Sequence, residues 1–115
     1  MKKNIVQLDR KIRIAIVGCG RISKRHVDAI QKTDGIQLAI VCDCDEVKGR
    51  ALAEQLAVEF VADYKKIKGV DVISVLTPSG NHPLHVGEIA ENTEVEHIIC
   101  EKPVSLTVRE AYEVF

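Results

Sequence analysis

The 115-residue sequence contains no tryptophan, so ligand binding must be followed by a method other than tryptophan fluorescence. It has no apolar run near the roughly 20 residues that a membrane-spanning helix needs. The formal net charge is only −1, which gives no basic surface for nucleic acids or anionic membranes. The first residues lack the long apolar segment of a signal peptide. We therefore expect a cytoplasmic protein with no nucleic-acid partner and no membrane partner.

Cysteine is present, but not in a spacing typical of metal sites. The four cysteines are Cys19, Cys42, Cys44 and Cys100, and each lies at or near the end of a predicted strand. Cys42 and Cys44 are separated by one residue, which only weakly approaches the paired spacing of a zinc site. Because disulfides are rare in reducing compartments, we predict that all four are small buried thiols.

Short apolar segments alternate with amphipathic ones along the chain. Segments rich in isoleucine and valine are typical of strands buried on both faces of a parallel sheet. Right-handed connections between such strands predict a doubly wound α/β domain. In the second helix, the predicted buried side contains Val47, Ala51, Leu52 and Leu56. The strands are predicted at residues 11–18, 35–43, 58–62, 70–77 and 96–101, and the helices at 21–33, 46–57, 82–93 and 106–115.

Residues 16–23, IVGCGRIS, place a glycine pair between a predicted strand and a predicted helix, as in dinucleotide-binding turns. Gly18 allows a tight turn, and Gly20, which has no Cβ, allows a pyrophosphate to approach the backbone. The N–H groups and the positive dipole end of the following helix attract phosphates. The third small residue of the motif is Ser23 instead of glycine or alanine. We expect serine to allow the same helix–strand packing at a slightly greater distance.

Asp43 ends the second predicted strand, about 20 residues after the turn, where a carboxylate accepts hydrogen bonds from the adenosine ribose. Its charge favours NAD because it repels the 2′-phosphate of NADP, and Asp45 adds to this repulsion. Lys48 and Arg50 could soften the repulsion, but both fall inside the predicted second helix. The alternative is an ordinary βαβ unit with an incidental glycine pair and a helix-capping aspartate.

Three segments, GCGRISKRH, TPSGNHP and CEKPVSLT, occur in an order and spacing that resemble the N-terminal domain of the glucose-fructose oxidoreductase / inositol dehydrogenase / MocA (Gfo/Idh/MocA) family. The resemblance covers residues 12–115. TPSG followed by His-Pro is similar to the branch of UDP-N-acetylglucosaminuronate 3-dehydrogenases of lipopolysaccharide biosynthesis. The resemblance implies a Rossmann fold with strand order 3-2-1-4-5 and NAD as cofactor.

The same resemblance implies that residues 1–115 are the NAD-binding domain of a longer oxidoreductase whose C-terminal substrate domain is missing. The whole enzyme would oxidise a hydroxyl group of a sugar or nucleotide sugar. It would be a homo-oligomer, and we expect the fragment alone to be inactive.

Individual residue roles also follow from the resemblance. Lys102 would be the catalytic residue near the reacting hydroxyl, since a lysine ammonium can stabilise an alkoxide or take part in proton transfer. Glu101 and Lys102 would both lie beside the nicotinamide as cofactor-binding residues, and His82 near the nicotinamide ribose. A solvated charge before a proline is the alternative for Lys102. The remaining expected cofactor-binding residues are Gly18, Gly20, Arg21, Ile22, Asp43, Leu76, Thr77 and Pro78.

Other functions remain open at this point. A Rossmann domain can serve as a non-catalytic NAD-sensing or NAD-binding module, although a sensor does not need a lysine at the nicotinamide. Other members of the family oxidise inositol, reduce biliverdin or hydrolyse glycosides through transient oxidation. His82 and His85 could share a helix face and bind a metal, but no third ligand is evident. We therefore predict no metal.

Overall fold

The computed structural model describes residues 10–78, 81–100 and 109. Within these residues, five strands form one parallel sheet of order β3-β2-β1-β4-β5. This order confirms the predicted doubly wound sheet. The helix predicted at residues 106–115 lies, except for Arg109, outside the described residues. The strands are β1 (Ile12–Val17), β2 (Ile36–Cys42), β3 (Glu59–Val61), β4 (Val72–Val75) and β5 (His97–Cys100); the helices are α1 (Ser23–Gln31), α2 (Glu46–Leu56) and α3 (His82–Asn92), with a short 3-10 helix at Tyr64–Lys66.

The core lies on both faces of the sheet, with β1 at its centre. Ile16 of β1 is completely buried. On one face, Val27 of α1 and Ala53 of α2 belong to an apolar cluster with Ile16. On the other face, Ile73 of β4 packs in a second cluster with Ile89 of α3. Because helices cover both faces, the central strands are apolar at almost every position.

Two of the four residues on the predicted face of α2, Leu52 and Leu56, pack against the apolar core. Val47 is 82% exposed and Ala51 is also exposed, so their predicted burial was wrong. The buried residues of α2 are Gly49 and Ala53. A Cβ on Gly49 would overlap the ring of Phe60 in β3. The missing side chain therefore allows α2 to approach β3, a packing role that a hydropathy pattern cannot reveal.

The carboxyl ends of β1, β2 and β4 are held together by backbone hydrogen bonds. The N–H of Gly18 donates to the carbonyl oxygen of Cys42 at 2.8 Å, and the N–H of Leu76 donates to that of Val17 at 2.8 Å. Gly18 has a φ of +101°, and a Cβ there would lie 2.9 Å from backbone atoms of Leu76 and Thr77. Only glycine fits where β1 turns against the end of β4.

No disulfide joins the four cysteines, all of which are described residues, and they differ in burial. Cys19 and Cys42 are buried, Cys100 is partly buried and Cys44 is exposed. Burial raises the pKa of Cys19 to about 11 and the pKa of Cys42 to about 12. The predicted burial was wrong for Cys44, because this residue follows the end of β2 in the loop before α2.

Candidate cofactor-binding site

A cleft of about 860 Å³ lies at the carboxyl ends of the strands. It lies where the chain passes from β1 to α1 and from β4 to α3, which is the crevice that binds ligands in doubly wound sheets. Glu101 and Lys102 lie outside the described residues. All the other residues predicted to bind the cofactor line this cleft: Gly18, Gly20, Arg21, Ile22, Asp43, Leu76, Thr77, Pro78 and His82.

The turn between β1 and α1 supplies backbone donors to the cleft. Within the described residues, the N–H groups of Gly20, Arg21 and Ile22 donate no hydrogen bond. Ile22 occupies the N-cap position of α1 and offers no side-chain cap. N–H groups at a helix N-terminus lack intrahelical partners and bind anions such as phosphates. These three groups can therefore hold a pyrophosphate.

Gly20 and Ser23 serve this turn in different ways. A Cβ on Gly20 would meet no atom within 4 Å, and the φ of Gly20 is not positive. The protein itself therefore does not require glycine here, and the open space is where a pyrophosphate would approach the backbone. Ser23 is 2% exposed, and its Oγ donates to the carbonyl oxygen of Gly20 at 2.6 Å. A serine thus fits the third small position and fixes the first turn of α1 to Gly20.

Asp43 connects the end of β2 to the glycine turn. Its Oδ2 accepts from the N–H of Cys19 and its Oδ1 from the N–H of Asp45, both at 2.9 Å. The helix cap is Asp45, whose Oδ1 accepts from the N–H of Lys48 at 3.1 Å. Each oxygen of Asp43 has a second lone pair, so the carboxylate can also accept bonds from ribose hydroxyls.

The opposite wall of the cleft is built around Thr77, at the end of β4. Nε2 of His82 lies 2.6 Å from the carbonyl oxygen of Thr77. Because a carbonyl only accepts, this nitrogen must carry the proton. Nδ1 of His85 lies 2.7 Å from Oγ1 of Thr77. His82 is 2% exposed, and burial lowers the pKa of His85 below its ordinary value. The His85 ring is therefore neutral at pH 7.

A second set of contacts, not predicted from the sequence, joins this wall to the end of β3. The rings of Tyr64 and His85 lie 4.9 Å apart, tilted by 53°. The Tyr64 hydroxyl donates to Oε1 of Glu88 at 2.8 Å, and Lys65 Nζ lies 3.6 Å from Oε2 of the same carboxylate. Burial and the bond to Glu88 raise the pKa of Tyr64. The phenol therefore stays protonated and holds the 3-10 helix against α3.

Two further features were sought among the described residues, namely a cluster of metal ligands and a membrane-spanning helix. No group of three or more histidine, cysteine, aspartate and glutamate side chains in residues 10–78 and 81–100 could hold a metal ion. None of the helices in those ranges is long and apolar enough to cross a membrane.

Comparison with known proteins places this architecture in one family. The model of the oxidoreductase family GFO_IDH_MocA, NAD-binding Rossmann fold, matches residues 12–115. Scyllo-inositol 2-dehydrogenase (NAD(+)) of Bacillus subtilis is 30% identical over 90% of this chain and 31% of its own length.

Two solved structures are also similar to the chain. The WlbA dehydrogenase of Chromobacterium violaceum, in complex with NADH and UDP-GlcNAcA, superimposes with a TM-score of 0.85. It is 32% identical, over 97% of this chain and 34% of that one. The WlbA dehydrogenase of Bordetella pertussis, also in complex with NADH and UDP-GlcNAcA, superimposes with a TM-score of 0.83. It is 31% identical, over 91% of this chain and 32% of that one.

The chain spans about a third of the length of the curated relatives it matches. The strand order, the glycine turn and the match over residues 12–115 agree with one another. The chain therefore belongs to the Gfo/Idh/MocA family of oxidoreductases and is an NAD-binding Rossmann domain of that family.

Proposed function

We propose that this chain is the cofactor domain of a longer NAD-dependent dehydrogenase that oxidises a hydroxyl group of a sugar or nucleotide sugar. We assign it to the UDP-N-acetylglucosaminuronate 3-dehydrogenase type, in the biosynthesis of lipopolysaccharide or another surface polysaccharide. The observation that carries the proposal is one cleft lined by the glycine turn, Asp43 and the end of β4. The similarity to two dehydrogenases crystallised with NADH and UDP-GlcNAcA supports the choice of substrate class.

In the proposed complex, the glycine turn binds the pyrophosphate. The backbone N–H groups of Gly20, Arg21 and Ile22 donate to its oxygens, and the Arg21 guanidinium adds a positive charge at the same turn. Asp43 accepts hydrogen bonds from the adenosine ribose while it keeps its bonds to the turn. Because the carboxylate already fixes Cys19 at 2.9 Å, the turn is preorganised before the dinucleotide arrives.

The nicotinamide half of the cofactor lies at the end of β4, bounded by Leu76, Thr77 and Pro78. His82 acts there as a positioning residue, because its Nε2 fixes the carbonyl of Thr77. This half of the cleft is flanked by β4 and β5. The two strands end at the same level of the sheet, because their last residues, Val75 and Cys100, pair with each other.

Lys102 follows the last residue of β5 by two positions in the sequence, and we propose that it belongs to the same edge of the sheet. NAD, when bound, accepts the hydride from the carbon that bears the hydroxyl. We propose that the ammonium group of Lys102 stabilises the oxygen of that hydroxyl as its proton passes to solvent water, with Glu101 beside the nicotinamide.

The test is turnover by the longer protein of this proposal, which includes a substrate domain. We expect NADH formation with UDP-N-acetylglucosaminuronate. Formation with inositols instead would assign the protein to the second substrate class, which the similarity to scyllo-inositol 2-dehydrogenase favours. Lys102→Met should abolish turnover even at saturating NAD, whereas the control Lys32→Met should change neither turnover nor NAD binding. NAD binding without NADH formation from any sugar or inositol would identify a binding module.

Two further properties belong to the same proposal. We expect the full-length protein to be cytoplasmic and to form a homo-oligomer. Sedimentation equilibrium measures the second property directly, and a monomer would contradict it.

A further inference from the structure

The two oxygen atoms of Thr77 are both in contact with histidines of α3. Its carbonyl oxygen accepts from Nε2 of His82 at 2.6 Å, and its Oγ1 lies 2.7 Å from Nδ1 of His85. The histidines are three positions apart on the helix, so they are neighbours on one face. His82 therefore fixes the backbone of Thr77, whereas His85 fixes its side chain.

The ring of His85 is held in place by residues of two elements. It packs at 4.9 Å and a tilt of 53° against the ring of Tyr64, in the 3-10 helix. The Tyr64 hydroxyl donates at 2.8 Å to Oε1 of Glu88, which lies three residues after His85 on α3. A side chain whose rotamer is locked by such packing holds its own partner accurately. His85 therefore restrains the Thr77 hydroxyl more closely than a water molecule would.

Thr77 and His85 border the cofactor cleft, and both are only partly buried. A hydrogen bond between such groups adds little to the free energy of unfolding, because water can replace either partner. The hydroxyl of Thr77 has one proton and two lone pairs, so a bond to His85 leaves Oγ1 able to bond a second partner. A carboxamide fits this atom whichever group supplies the proton between Thr77 and His85, because it offers both an N–H donor and a carbonyl acceptor.

We propose that His85 is a positioning residue for the nicotinamide, because it holds Oγ1 of Thr77 where this atom bonds the carboxamide of the nicotinamide. This inference rests on the proposed binding of the nicotinamide half of NAD at the end of β4. The carboxamide bond sets the orientation of the ring, and hydride transfer requires that the accepting carbon face the substrate. His85 acts through Thr77 and is not itself a catalytic residue.

Calorimetric titrations of the protein with NAD and with ADP-ribose test the inference without any need for turnover. ADP-ribose contains the adenosine, the pyrophosphate and the second ribose, but no nicotinamide. His85→Leu removes both ring nitrogens, so we expect NAD to bind about tenfold more weakly and ADP-ribose to stay within about twofold. The control His97→Leu, at the exposed first residue of β5, should change neither affinity.

A double variant tests whether His85 acts through Thr77. Thr77→Val removes the hydroxyl and keeps the branched shape of the side chain, so it should weaken NAD binding about as much as His85→Leu does. The double variant should bind NAD no more weakly than either single variant, because both changes remove the same bond to the carboxamide.

Rescue by asparagine distinguishes positioning from the filling of space. In His85→Asn the amide oxygen and nitrogen lie two bonds from Cβ, as Nδ1 does in histidine, and the amide can donate or accept. We expect this variant to bind NAD within about threefold of the wild type, although it fills less of the space beside Tyr64 than His85→Leu. Circular dichroism checks that each variant folds.

Three outcomes would overturn the inference. Equal weakening of NAD and ADP-ribose by His85→Leu would mean that His85 supports the whole cleft. Additive losses in the double variant would mean that His85 and Thr77 act independently. Binding of NAD by His85→Asn as weak as that by His85→Leu would assign His85 a packing role. Failure of the folded wild-type protein to bind either NAD or ADP-ribose would contradict the proposed function itself, so this failure is distinct from the other three.

Discussion

Each edge of the sheet carries a cleft, and the two clefts are similar in size. They differ in whether their polar groups are bonded to one another or are left unused. At the amino edge, a cleft of about 650 Å³ is lined by Arg10, Arg13 and Asp71. Asp71 accepts two bonds from the Arg10 guanidinium, at 2.7 and 2.8 Å, and one from the N–H of Arg13 at 2.8 Å. Arg13 Nε in turn donates to the carbonyl oxygen of Gly69 at 2.8 Å. Arg10, Arg13 and Asp71 are thus bonded to one another or to the backbone.

At the carboxyl edge, within the described residues, the N–H groups of Gly20, Arg21 and Ile22 donate to nothing, and Lys48 forms no ion pair. Parallel topology explains part of this difference, since the N-termini of the helices that follow the strands meet at this edge with unused donors. The comparison teaches that a cleft alone does not indicate a binding site. Backbone N–H groups that donate no hydrogen bond, beside a turn that only glycine can form, do indicate a binding site.

Gly18→Ala should have the largest effect of the substitutions considered. The φ of +101° strains any L-residue, and the new Cβ would lie 2.9 Å from backbone atoms of β4's carboxyl end. We expect the free energy of unfolding to fall by roughly 3 kcal/mol from backbone strain and overpacking combined. Urea denaturation measures this change. If the Gly18→Ala variant were as stable as the wild type, this would contradict the close contact between the end of β1 and the residues after β4.

Gly20→Ala, a substitution in the same turn, should lower the affinity for NAD and leave the stability of the fold almost unchanged. The added Cβ meets no protein atom within 4 Å, so the free energy of unfolding should change by less than about 0.5 kcal/mol. NAD affinity should fall at least about tenfold, because the methyl group occupies the space of the pyrophosphate. Calorimetric titration with NAD measures this affinity. An unchanged affinity for NAD would mean that the glycine turn is not part of the binding site.

Asp71→Asn should have the smallest effect and should be confined to the amino edge. Hydrogen bonds from the Arg10 side chain and the Arg13 N–H hold the pKa of Asp71 well below its usual range. We expect the melting temperature at pH 7 to fall by a few degrees, because the ion pair is largely exposed. NAD affinity should not change. A loss of affinity as large as that of Gly20→Ala would erase the distinction between the two edges.

The pH dependence of this effect has a definite sign. A lowered carboxyl pKa in the folded state stabilises the fold fully above the pKa of an unfolded aspartate, about 3.9. The stabilisation is then lost as the pH falls further toward the folded pKa. The difference in melting temperature between Asp71→Asn and wild type should therefore shrink below about pH 4.

The doubly wound sheet could be predicted because it follows from local apolar patterns and from general rules for parallel connections, whereas its strand order came from the resemblance to a known family. The predicted face of α2 was wrong at Val47 and Ala51. The helix contacts Phe60 through Gly49 instead, and a glycine has no side chain to carry a hydropathy signal. The same helix contains Lys48, and only its placement beside the cleft shows that it differs from Arg50.

The glycine turn and Asp43 could also be found from the sequence, since their spacing is a property of a single βαβ unit. The bond between Cys19 and Asp43 joins residues 24 positions apart. The bond between Tyr64 and Glu88 also joins residues 24 positions apart. No local pattern encodes such pairs, because they depend on how the sheet brings different loops together.

NAD titration of the ¹⁵N-labelled protein, followed by amide chemical shifts, tests the difference between the two edges most directly. The account predicts large shifts for the amides of Gly20, Arg21 and Ile22, and none for Gly69 and Asp71 at the amino edge. Shifts confined to the amino edge, or no shifts at either edge at saturating NAD, would contradict it.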